Sequence, residues 1–114
     1  MEVWKESMAL ALLVYKLTED FPKTELYGLV SQIRRCSVSI PSNIAEGSVR
    51  SSNKETARFI DISLGSLAEL DTQLLLSKEL GFYNEEQIFE QLKKVNALLN
   101  GLKKYLMKNM SEAN

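Results

Sequence analysis

The chain has no histidine, one cysteine, two prolines and one tryptophan in 114 residues. Without histidine the common zinc arrangements and the Ser-His-Asp and Cys-His triads are excluded. A lone Cys36 can close no internal disulfide and build no thiolate metal cluster, so neither a metal nor another cofactor is expected. Charge of one sign is also missing: 14 Lys and Arg stand against 15 Asp and Glu, and the chain as a whole carries no general attraction for nucleic acid or an anionic membrane. The longest apolar run, Met8 to Tyr15, has eight residues. A membrane-spanning helix needs about 20, so this is a buried helix segment. The opening Met1-Glu2-Val3-Trp4-Lys5-Glu6 has no basic stretch leading into a signal core and no small-residue cleavage site, and a cytoplasmic protein with no membrane role is expected. A chain of this length reads as one domain, residues 1–114, close to the size where oligomerisation adds useful stability.

What is present is helical periodicity. Val3, Ser7, Leu10, Val14, Leu17 and Phe21 form one stripe, and Trp4, Met8, Ala11 and Tyr15 form a second beside it. That face, with Leu12 and Leu13 added, is wider than a small bundle needs, so a subunit interface or burial on three sides must account for it. Asp20-Phe21-Pro22-Lys23-Thr24 ends the pattern, because proline disfavours helical geometry in the residue before it. A second helix follows from a Thr24 cap, with core positions Leu26, Val30, Ile33, Ser37, Ile40 and Ile44. Ser52 with Glu55 fits a capping box for a third helix, which Gly81 ends in the left-handed conformation. Asn84 with Gln87 fits another, opening a fourth helix whose seam is Ile88, Leu92, Val95, Leu99, Leu102 and Leu106. The expected helices are about 2–19, 25–47, 52–80 and 85–108, with a polar tail that frays after Lys108. Short connections between amphipathic helices make an all-α, antiparallel up-down-up-down four-helix bundle.

The second helix carries more information than the rest. Pro41 stands inside it, removing the bond to the Ser37 carbonyl, so a kink is expected there. Gln32, Arg35, Ser39, Asn43 and Glu46 fall on one side, well away from the core stripe. This polar stripe is open to two readings: local repair of the kink and a cap before Gly47, or a binding surface. Ser63, Gly65 and Ser66 on the third helix are small enough to admit a neighbouring helix, and a mid-helix glycine implies packing or contact. Glu69 and Asp71 read as solvated or paired charges.

Charge is unevenly placed. Residues 28 to 60 hold Arg34, Arg35, Arg50, Lys54 and Arg58 against Glu46 and Glu55, and residues 91 to 110 hold five lysines and no acid. Seven acids and one lysine lie between them. Arg50, Lys54 and Arg58 recur at four-residue spacing, an arrangement suited to phosphates as well as to solubility.

The run Gln32-Ile33-Arg34-Arg35 to Ser39-Ile40-Pro41-Ser42-Asn43-Ile44-Ala45-Glu46-Gly47, with Arg50, Phe59 and Leu64-Gly65-Ser66-Leu67-Ala68-Glu69-Leu70, resembles the four-helix proteins named for the 23S rRNA intervening sequence. Val3-Trp4 and Phe21-Pro22 match that family's opening, and the resemblance covers nearly the whole chain. It implies a four-helix bundle assembling as a homopentameric ring. Some members are encoded within insertions in bacterial 23S rRNA genes. The similar accessory proteins of diversity-generating retroelements, which tend to be strongly basic, bind a reverse transcriptase and RNA.

Three functions remain open. The first is a non-enzymatic, oligomeric interaction protein presenting Arg34, Arg35, Arg50, Lys54 and Arg58 to RNA or a nucleic-acid-processing protein. The second is a purely protein-binding adaptor. The third is an enzyme assembled between subunits, around Arg35 and Glu46. No catalytic residue and no small-molecule substrate is identified.

Overall fold

The computed structural model describes residues 1–113. Four helices make up a bundle: α1 Glu2–Thr18, α2 Leu29–Ser48, α3 Asn53–Glu79 and α4 Gln87–Ala113. Each packs on the next in sequence and α4 returns to α1, forming a rod of 50 × 24 × 19 Å. Contacts along α2 and α3 run in opposite order, Gly47 with Thr56, Ile40 with Ser63, Ser39 with Ser66 and Gln32 with Gln73, so these two helices are antiparallel.

The core follows the apolar stripes. Leu10, Val14, Ile33, Ile40, Ile44, Ile60, Leu70, Leu74, Val95 and Leu99 are fully buried. Burying side chains of this size stabilises by about 1.5–3 kcal/mol each, against the entropy of ordering them. Two hydroxyls within this core are satisfied on their own helix: Ser7 donates to the Val3 carbonyl at 2.7 Å and Thr18 to Val14 at 2.8 Å.

The connections depart from the sequence reading. α2 begins at Leu29, four residues later than the expected 25, because the chain after Pro22 makes only a 3-10 turn, Lys23–Glu25, and Gly28 then adopts φ −111° and ψ −107°, off the helical path. Thr24 caps nothing, and Leu26, expected in the core, is exposed. α4 begins at Gln87, so the Asn84–Gln87 capping box is not built; the Asn84 N–H instead meets the Glu85 carboxylate at 3.2 Å. α4 also continues past Lys108 to Ala113, where fraying was expected.

The start of α3 behaves as its cap dictates, with the Glu55 N–H donating to Ser52 Oγ at 3.2 Å. Its end forms a Schellman turn: Gly81 has φ 82°, its N–H meets the Lys78 carbonyl, and the Phe82 N–H meets Ser77. Phe82 and Tyr83 then pack on Phe21 at 5.4 and 5.8 Å between ring centroids, fastening the two loops at this end of the rod together. The Tyr83 hydroxyl donates to the Leu74 carbonyl at 2.7 Å. α2 stays helical on both sides of Pro41, which is itself buried.

Candidate interaction surfaces

Along α2 the polar stripe divides. Ser39 Oγ lies 2.8 Å from Ser66 Oγ on α3, and Asn43 Nδ2 donates both to the Ser39 carbonyl at 2.8 Å and to its hydroxyl at 3.1 Å. These bonds join α2 to itself and to α3, so Ser39 and Asn43 hold structure. Gln32 Oε1 receives only a long 3.5 Å bond from Gln73. Glu46 pairs with Arg50. Arg35 is exposed and carries no ion pair among the described residues.

The basic residues are not gathered into one patch. Arg34 is a fastener between α1 and α2: its Nε donates to Thr18 Oγ1 at 2.8 Å, its Nη2 to the Tyr15 carbonyl at 3.3 Å, and its guanidinium lies over the Tyr15 ring. Arg34 and Arg35 stand near the start of α2 while Arg50 follows its end, about 20 Å away along the helix axis. At that far end Arg50 and Arg58 both lie over Phe59, and Arg58 Nε is 3.9 Å from Glu55. Lys54 is exposed there. Lys103 and Lys94 of α4 are paired with Asp61 and Glu6. Hydrogen bonds from Gln91 and Lys94, with the lysine's charge, hold the Glu6 carboxyl below its ordinary value.

Gly47, expected as the last residue of the second helix, lies one residue inside the end of α2 and serves close packing: a Cβ there would sit 2.9 Å from Phe59 Cβ. Gly65 has open space around it, and no contact within the chain explains it. Its neighbours do pack, Ser63 Oγ donating to the Ile40 carbonyl at 2.9 Å.

Of the second stripe of α1, Ala11 is buried while Trp4, Met8 and Tyr15 stay uncovered. Trp4, Met8, Leu12 and Tyr15, with Val38, Pro41 and Ala45 of α2, line an apolar groove of about 460 Å3. Leu12 is 70% exposed, Trp4 and Met8 39% each and Val38 43%. α2's contribution was not read from the sequence, although Val38 and Ala45 stand three and four residues from Pro41, the spacing that would have marked it. The model of the 23S rRNA-intervening sequence protein family matches residues 1–104. The chain belongs to that family. The match takes in α1, α2, α3 and most of α4, and so both the polar stripe and the groove. No curated protein matches the chain. Among the described residues no helix is long and apolar enough to cross a membrane.

Proposed function

We propose that this family member is a non-enzymatic interaction protein that associates with copies of itself along the α1/α2 groove and offers its polar surfaces to a further partner. The observation carrying this is the groove: a contiguous apolar face with Leu12 70% exposed at its centre is what a chain leaves when another surface is to cover it. Family resemblance adds a homopentamer in the cytoplasm as the expected assembly. Native mass spectrometry and light scattering test it. The wild-type chain runs as a defined oligomer, and Leu12→Glu reduces it to a folded monomer; a wild-type monomer at high concentration overturns the reading.

Arg35, Lys54 and Lys104 are exposed and without an ion pair among the described residues, and they support RNA or a nucleic-acid-processing protein as that further partner. Because Arg34 is pinned and Arg50 and Arg58 face acids, binding through these three is weak and salt-dependent. A titration with structured RNA at low salt that shows no binding leaves the protein-only adaptor. Catalysis has no part in the proposal: Arg35 and Glu46 stand three turns apart on α2, about 16 Å, and Glu46 is taken by Arg50.

A further inference from the structure

α2 and α3 enclose a second cleft, of about 420 Å3, lined by Gln32, Arg35, Cys36, Ser39, Ser66 and Glu69. It shares no residue with the apolar groove. Its two poles lack opposite things. On one, the Arg35 guanidinium has five N–H donors and no acceptor among the described residues. Beside it, the Ser39 and Ser66 hydroxyls share a single 2.8 Å bond, and Asn43 occupies Ser39 Oγ as a donor. Two hydroxyls carry two hydrogens and the bond uses one, so one O–H is left without an acceptor.

The other pole is short of donors. Behind it Gln73, 9% exposed and outside the cleft lining, makes only long bonds through its Nε2, 3.4 Å to Glu69 Oε2 and 3.5 Å to Gln32 Oε1, and its buried Oε1 meets no donor among the described residues. The Glu69 carboxylate itself is exposed and forms no ion pair with Arg35, although both line the cleft. Arg35 and Glu69 are solvent-exposed, line the same cleft with opposite charges and are not paired with each other, so a ligand carrying both charges fits between them.

We infer that this cleft binds a small zwitterion of the free α-amino acid class. Its carboxylate accepts from Arg35 and the spare serine hydroxyl, and its ammonium donates to Glu69. A phosphate would set a second negative charge against Glu69, and a simple amine would leave Arg35 unpaired beside a cation. The volume lies in the range of small-molecule sites, roughly 300–1,000 Å3. Cys36 forms a wall; it is buried against Glu69 and stays a protonated thiol.

Saturation-transfer NMR on the full chain tests this with the free α-amino acids, each beside the acid lacking its amino group and the amine lacking its carboxylate. At least one amino acid binds at millimolar concentration, about tenfold or more tighter than either analogue. Arg35→Gln and Glu69→Gln each weaken it by about tenfold with unchanged melting, and Lys93→Gln, outside the cleft, leaves it alone. Absence of binding by every amino acid, equal binding of a one-charge analogue, or full retention in both cleft variants overturns the assignment. None of these results depends on whether the chain self-associates, and because Arg35 is also offered to RNA they are read on nucleic-acid-free protein.

Discussion

A methyl group on Gly47 would stand 2.9 Å from Phe59 Cβ and 3.3 Å from the Thr56 carbonyl, closer than carbon and these atoms pack. α2 and α3 therefore approach here only because residue 47 has no side chain. The same contact brings Thr56 Oγ1 within 2.9 Å of the Gly47 carbonyl.

Gly47→Ala forces the two helices apart and lowers stability by about 1–3 kcal/mol in urea unfolding. Gly65→Ala, which meets open space, does the opposite in the monomer and adds about 0.5–1 kcal/mol through helix propensity. Loss of stability or of assembly in Gly65→Ala would mean that another chain lies against this face.

Arg34 and Arg35 are neighbours in sequence with different duties. Arg34→Ala removes the bonds to Thr18 and Tyr15 and the contact over the Tyr15 ring, lowering stability by roughly 1–2 kcal/mol. Arg35→Ala changes it by less than about 0.5 kcal/mol. Thermal unfolding of the two variants distinguishes them, and equal losses would refute the division.

Burial, helped by the nearby Asp71 and Glu85 charges, pushes the Tyr83 hydroxyl up to about 12. Its folded value lies above the ordinary 10, so this contribution is fully present below pH 10 and is lost as pH rises towards 12. Burial likewise pushes Cys36 from 9 to about 11, and its share is lost from pH 9 upward. Unfolding free energy therefore falls from pH 9 to 12. Tyr83→Phe costs about 1 kcal/mol at neutral pH for the lost bond to Leu74 and makes the fall shallower. A pH series of urea melts reads both effects.

Leu12→Glu leaves the monomer's stability within about 0.5 kcal/mol of wild type, since the side chain is already 70% exposed, while it disrupts association. Sedimentation velocity separates the two; a large loss of stability would place Leu12 in the core instead.

Periodicity carried most of the architecture because each helix buries a repeating stripe, and Ile33, Ile40 and Ile44 or Val95 and Leu99 can be read straight from their spacing. The loop ends were less legible. Thr24 and Asn84 have capping chemistry, but Gly28 leaves the helical path only in the folded backbone, and nothing local to residues 84 to 87 reveals that the helix starts after them. The contacts of the basic residues were hidden for a related reason: linear spacing shows neither that Arg34 turns towards α1 nor that Glu46 reaches Arg50. Glu69 read as an ordinary solvated charge, and Gln73 drew no notice, because the cleft beside them exists only once α2 lies alongside α3.

The apolar groove runs along the side of the 50 Å rod, whereas the polar cleft opens between a different pair of helices. Any closed ring of such rods repeats each feature at one height by rotation, so every copy would display its cleft on the same circular row. A partner with several matching groups on a flexible tether would then meet evenly spaced seats, and individually feeble contacts would add up to firm attachment.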